Sequence, residues 1–279
     1  MRASISRAPL ARTAAGAAGR LGGFLWSAWV GLAGLALIGA LWQVGHEAFG
    51  DFILPAPIAV LAATIELLGQ RETWVVAGQT TVRAVRGLAL GLVAGGLTGF
   101  VAGYSPALMR LARPILTVML GVPPIAWIVM TMIWFGSSDA TVTVTVVVAA
   151  APFLFIGAAE GVTGRDRRLD DMARAFGAGP VTRLVTIGLR QMMTSLFPAL
   201  TMATGTAFKV AVMAELLTNT GGVGGALADA RTMLDVRQAL AWVLISVAAL
   251  LAVEYGLIHP VRGHLERWRE AARQWGVKR

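Results

Sequence analysis

Residues 164–180 read Gly-Arg-Asp-Arg-Arg-Leu-Asp-Asp-Met-Ala-Arg-Ala-Phe-Gly-Ala-Gly-Pro, and the architecture follows from what surrounds them. Leu169, Met172, Ala173 and Phe176 fall at i, i+3, i+4 and i+7, the spacing of one helix face. Asp166, Asp170 and Asp171 lie in the early turns, where carboxylates suit the positive end of the helix dipole. Gly177 stands where such a helix ends, and Gly179-Pro180 opens another with proline at its first position. On either side run apolar stretches, 140–162 and 195–217, each long enough to cross a bilayer. The loop 163–194 therefore projects a short amphipathic helix from a membrane-embedded body, with an apolar stripe that no lipid covers. A partner protein would bury that stripe, and the simplest role is docking.

Composition supports lipid as the solvent. Of 279 residues, 56% are hydrophobic and 14% charged, against about 45–50% and about 25% in a soluble domain. The 33 glycines fit membrane helices, where glycine is commoner than in soluble ones. With no cysteine, a disulfide framework, a thiolate metal site and a cysteine nucleophile are excluded.

Six stretches qualify as spans: roughly 22–44, 80–103, 114–136, 140–162, 195–217 and 239–259. The second is the least clean, because Arg83 and Arg86 sit in its first turns. An even number places both termini on one side. With the N-terminus inside, segments 1–21, 104–113, 163–194 and 260–279 are cytoplasmic and hold 18 of the 24 basic residues. That is the positive-inside pattern, and the opposite orientation inverts it. Arg2, Arg7, Arg12 and Arg20 resemble a signal n-region, but the apolar run 21–44 lacks a small-residue cleavage site and suits a retained span.

Between the spans, Pro55 and Pro57 break the chain before Ile58–Leu68, which is too short to span and reads as an interfacial helix. A second outer loop, 218–238, carries Gly221-Gly222-Val223-Gly224-Gly225. The tail, with Trp268 and Trp275 among its arginines, is expected on the anionic inner leaflet, and a nucleic-acid partner is not expected.

The 163–194 loop resembles the signature of permease subunits of ATP-binding-cassette importers: Glu-Ala-Ala, three residues, Gly, nine residues, Ile-x-Leu-Pro. Here Asp171-Met172-Ala173, Gly177 and Ile187-Gly188-Leu189-Arg190 keep that spacing, and Met172 and Arg190 depart from the pattern. Leu54-Pro55-Ala56-Pro57 is similar to the family's Leu-Pro-Ser-Pro. Val122-Pro123-Pro124 with Ile133-Trp134-Phe135-Gly136 is similar to its Pro-Pro…Leu-Trp-Phe-Gly, and Ala214-Glu215 with Gly222-Val223-Gly224 to its Ala-Glu…Gly-Leu-Gly. Together these resemble the nitrate, sulfonate and taurine importer permeases over about residues 51–259.

The resemblance implies an all-α polytopic membrane protein of about six transmembrane helices, a type I importer permease fold with a cytoplasmic coupling helix. The organisation expected is a basic N-terminus 1–21, a first span 22–44, a periplasmic or interfacial segment 45–79, a permease core 80–259 and a basic tail 260–279. The location implied is a bacterial inner membrane, with both termini cytoplasmic. Partners implied are a cytoplasmic ATPase dimer carrying ATP-Mg, a periplasmic or lipid-anchored binding protein, and a second permease copy, most simply an identical one. Leu169, Asp171, Met172, Ala173, Phe176 and Gly177 are the coupling residues so implied. Ala173 and Gly177 keep the helix slim, Asp171 caps it or pairs with a partner arginine, and Leu169 and Phe176 make buried contacts. Independently, the chain has no G-x-x-x-x-G-K-[ST] loop, so any ATP dependence must come from a partner; with the resemblance, this chain is expected to be neither an enzyme nor the holder of a cofactor.

Candidate pathway residues are Lys209, Glu215, Pro123, Pro124 and Trp127. Lys209 lies mid-span, where an ionisable side chain faces protein or a water-filled path. It is either an attraction point for an anionic substrate or half of an internal pair, with Glu215 or another helix. Glu215, near the outer end of the same span, is a gate or an interfacial residue. Pro123-Pro124 breaks a helix at membrane depth, which lines a pathway or makes a packing kink. Trp127 and Trp134 are belt, packing or substrate-contact residues, and Trp26, Trp29 and Trp42 read as interface anchors. His46, His259 and His264 fall in no metal-binding pattern. The alternative function, an autonomous ion-gradient transporter or channel, needs an intramembrane relay, and beyond the near-edge Glu160, Glu215 and Glu254 the spans offer no acid.

Overall fold

A computed structural model describes residues 10–258. The basic segment before Leu10 and the tail from His259, with His264, Trp268 and Trp275, lie outside the described residues, as does the side chain of Trp26. The chain divides into two compact units, one ending at Leu61 and one beginning at Ala62.

In the first unit, α1 (Leu10–Phe49) is one helix of 40 residues, longer than the expected 22–44, and Gly31–Phe49 is its span-like part. Gly50, at φ 79°, turns the chain back. The turn is pinned by two side chains of α1: His46 Nδ1 donates to the Leu54 carbonyl at 2.8 Å, and Trp42 Nε1 to the Pro55 carbonyl at 3.0 Å. Trp42 thus has a bonding role that its reading as an interface anchor does not contain. Pro57 opens α2 (Pro57–Leu68) at its first position, as expected of the short helix there.

The second unit is a helical bundle, with no strand among its described residues. Its centre is α3 (Arg71–Gly103) packed along α6 (Asp139–Thr163), with α9 (Leu189–Thr218) against α6. The close approach has a sequence cause. Gly87, Gly91, Gly95, Gly99 and Gly103 recur every four residues on the α3 face turned to α6. A Cβ on Gly95 would collide with the Ala151 carbonyl, and one on Gly99 with that of Phe155. Small residues at this spacing let two backbones meet, the packing that works where apolar burial gives no advantage over lipid. Leu88, Val146, Leu154, Leu196 and Phe208 fill the core between the three helices.

The expected span 114–136 is not one helix. α4 (Pro106–Gly121) and α5 (Pro124–Phe135) meet at 94°. Val122 is extended (φ −76°, ψ 124°), as a residue before proline tends to be, and two successive prolines offer no N–H to continue the ladder.

After α6 come α7 (Arg167–Ala175) and α8 (Pro180–Arg183), then a π-helical turn, Leu184–Gly188, leading into α9. Helix is continuous over the 39 residues Pro180–Thr218: it opens at Pro180, as expected, and runs without a break into the span expected from 195. Arg190, standing where the motif has proline, keeps an N–H in the ladder. The segment 218–238, expected as a loop, contains α10 (Gly222–Thr232), closed by Leu234 at φ 58°. α11 (Val236–Val253), capped by the Asp235 carboxylate accepting from the Gln238 N–H at 2.9 Å, ends the described chain with a π turn to Ile258. Among the described residues, five helices are long and apolar enough to span, and six if α4 and α5 count as one.

Candidate functional site

Two polar constructions lie at opposite ends of α6 and α9. The first holds α7. Its N-cap is Asp166, whose carboxylate accepts from the Arg168 N–H at 3.0 Å. Asp171 therefore does not cap the helix: the cap sits where the first residue's extended backbone turns its side chain onto the free N–H groups, and Asp171 is one turn too late. Its side chain is exposed. Asp170, expected only to complement the dipole, accepts from Arg165 and Arg183, each at 3.3 Å. Gly177 sits at φ 77°, with the Ala178 N–H donating to the Ala173 carbonyl at 2.9 Å across the helix end. The glycine is thus required by the backbone turn, and open space surrounds the position where a Cβ would be. Leu169, Met172 and Phe176 are exposed, Phe176 to 85%, and Ala173 lies half-buried between them.

The second construction is built around Glu215, which is 0% exposed. Its Oε1 accepts from Arg83 Nη1 at 2.7 Å, and its Oε2 from the Thr80 hydroxyl at 2.7 Å and the Gly224 N–H at 3.1 Å. Arg83 Nη2 donates to Asp139 at 2.6 Å and to the Thr220 carbonyl at 3.0 Å. Thr80 Oγ1 in turn accepts from the Val223 N–H at 2.8 Å. One buried carboxylate thus ties α3, α6, α9 and the start of α10 together. Gly222, at φ 71°, lies so close that a Cβ there would stand 2.5 Å from Oε1.

This corrects one expectation. Glu215 pairs with Arg83 instead of Lys209, because Thr80, Arg83 and the Gly-rich turn enclose the carboxylate. The same enclosure makes Glu215 a bond of the polar core. Lys209 is exposed on the outer face of α9 and has no ion pair among the described residues.

At the bend, Pro123 and Pro124 are exposed and Trp127 is half-buried, with an enclosed Nε1 that donates to nothing among the described residues. Thr131 and Thr145 hydroxyls, 2.7 Å apart, join α5 to α6 one turn further on. Beside the Glu215 network, a polar crevice of about 320 Å³ opens between α3, α10 and α11, lined by Gln70, Glu72, Gln79, Asn219, Asp229 and Gln238. The signal that could have found the network was present in the sequence: arginines, Arg83 and Arg86, in one apolar span and Glu215 in another, each needing a partner.

The sequence profile of the binding-protein-dependent transport system inner membrane component family matches residues 87–259. The chain belongs to that family. The match covers both constructions except for the α3 turn that carries Thr80 and Arg83. Among relatives of this permease, SsuC of Bacillus subtilis, named for aliphatic sulfonates transport, is 25% identical over 238 residues, 85% of this chain and 86% of its own. The taurine transport system permease TauC of Escherichia coli is 24% identical over 227 residues (79% and 82%). The nitrate import permease NrtB of Synechococcus elongatus is 26% identical over 201 (68% and 72%). In fold the permease is similar to an inward-facing structure of the MetNI methionine ABC transporter, with a TM-score of 0.57 at 16% identity over 70% of this chain and 98% of the other. The expected type I importer permease fold is the fold observed. The protein is a multi-pass ABC-transporter permease.

Proposed function

We propose that this permease serves an ATP-driven importer of a small anion, with its ATPase docked on α7 from the cytoplasm. The observation that carries the reading is α7 itself: an apolar stripe of Leu169, Met172 and Phe176, exposed to 41%, 53% and 85%, on a helix with no buried residue. An apolar stripe left this open by its own chain suits a partner. Asp171, exposed beside it, is free to meet a basic group of that partner. ATP-Mg sits in the ATPase dimer, whose closure moves α7 and rocks the spans between inward-open and outward-open states. A binding protein delivers solute at the α10 end, taken as periplasmic, with both termini of the chain cytoplasmic.

A second copy of this chain covers the outer face of α9, since a mid-span ammonium is poorly hosted by lipid. Lys209 then faces the path, where it attracts an anion, and the free Trp127 N–H at the α4–α5 bend is a donor for it. That relatives are named for sulfonates, taurine and nitrate supports this substrate class.

The deciding experiment is extraction of the tagged chain from its native cell in mild detergent, with identification of what co-purifies and an assay of ATP hydrolysis. A stoichiometric ATPase bearing a P-loop is the expected result; a clean complex of this chain alone, with no ATPase, overturns the reading in favour of an autonomous transporter. Lys209→Met is expected to lower uptake of taurine, nitrate or an alkanesulfonate, whichever is carried, by roughly tenfold, about 1.4 kcal/mol of lost attraction. Unchanged uptake returns Lys209 to a structural role.

A further inference from the structure

A helix that transmits force must be held, and no apolar core holds α7, because none of its residues is buried. Its attachment is polar. Arg165 lies just past the end of α6, and Arg183 lies in the first turn of the continuous helix that becomes α9. Both reach Asp170, one turn into α7, at 3.3 Å, and the three side chains are only 22%, 16% and 18% exposed. Arg165 Nη1 also donates to the Tyr104 hydroxyl, just past the end of α3, at 3.3 Å. The Asp166 N–H donates to Gln191 Oε1 of α9 at 2.8 Å. Glycines flank α7 on both sides, Gly164 before it and Gly177 and Gly179 after it, so its covalent ends are compliant.

We propose that Asp170, gripped by Arg165 and Arg183, is the positioning residue that makes α7 move as one body with α6 and α9. The proposal rests on the reading of α7 as the ATPase-docking helix. The two adjacent aspartates then divide the work: Asp171 faces outward to the partner, and Asp170 faces inward to the two arginines. Without the clamp, a push on Phe176 swivels α7 on its glycine ends. With it, the push reaches the two spans that α7 connects, and through Tyr104 it reaches α3.

The chain has no cysteine, so spin labels at Arg174→Cys, on the flank of α7 away from its stripe, and Leu90→Cys on α3 report without background. Pulsed electron spin resonance on the full chain gives their distance distribution. Asp170→Asn is expected to broaden it about twofold relative to the unmodified clamp, and Asp170→Glu, which keeps the charge, is expected to restore the narrow form. Arg165→Gln is the second variant if Asp170→Asn does not elute as a monodisperse species, and it is expected to broaden the distribution as well. In the complex with the co-purified ATPase, ATP with vanadate is expected to shift the distance between labels at Leu90→Cys and Leu217→Cys on α9, and Asp170→Asn is expected to abolish that shift while the ATPase still co-purifies. A distribution in the charge-removing variants as narrow as with Asp170 present, or an intact ATP-dependent shift, overturns the proposal. Absence of any ATPase from the unmodified preparation overturns the docking reading instead, and the comparison of widths on the chain alone still judges the clamp.

Discussion

At the scale of single residues, the Arg83–Glu215 pair is the most deeply buried ion pair among the described residues and so the most vulnerable to loss of one member. Removing one partner of a buried pair leaves the other charge uncompensated, at about 3–5 kcal/mol, whereas replacing both by apolar groups is close to neutral. Arg83→Met should therefore lower the melting temperature of the detergent-solubilised chain by many degrees, and Arg83→Met with Glu215→Leu should recover much of it. A double variant no better than the single one would show that the pair is not what holds the four helices. Gly177 illustrates a different point. A side chain there meets open space but sits at φ 77°, so Gly177→Ala is expected to cost about 1–2 kcal/mol locally through backbone strain alone, blurring any test of docking. Phe176→Ser is cleaner: being 85% exposed, it should leave the melting temperature within a degree or two and yet abolish capture of the ATPase in a pull-down. The apolar stripe and the terminal glycine were legible in the sequence because helix periodicity and end signals are local. The partners of Glu215 were not, since Arg83 is 132 residues away in the chain; those of Asp170, five and thirteen residues away, lie beyond the two ends of α7, where no helix-face spacing couples them.

At the scale of elements, the glycine row of α3 decides the bundle. Gly99→Leu should prevent α3 from seating against α6 and remove most of the folded yield, measured by monodisperse elution from detergent extracts. Gly96→Leu is the control: its Cβ would lie 3.7 Å from Leu92 and near nothing of α6, so yield should hold. Equal loss in both would place the constraint on glycine content as such and away from the α3–α6 contact. The row was readable as a four-residue repeat of small side chains, and the span holding it was read instead through its arginines. The break at Val122-Pro123-Pro124 was legible from proline chemistry. Its 94° angle was not, because Pro123 and Pro124 fix where the ladder stops while the direction of α5 is set by packing on α6, including the Thr131–Thr145 bond. Likewise the glycine-rich stretch 221–225 reads as loop until Thr80 and Glu215, on other helices, accept from Val223 and Gly224 and so complete a helix start there.

At the scale of the whole molecule, orientation is the prediction that charge counting makes and that a cysteine-free chain lets one measure simply. In intact spheroplasts, a membrane-impermeant maleimide should label Met233→Cys, beyond α10, and spare Arg174→Cys on α7; after permeabilisation both should react. Labelling of Arg174→Cys from outside would invert the topology and remove the ATPase from α7 altogether. The face of α9 that carries Lys209 bears on something earlier than transport. A chain newly released into the bilayer shows lipid an ammonium group with no counter-ion among its described residues, and it improves its lot only by meeting whatever covers that face. On the pairing proposed above, the solitary subunit is a transient of biosynthesis. Pairing then belongs to its maturation, and a chain that fails to pair would advertise the failure, at mid-membrane, to the proteases that survey the bilayer.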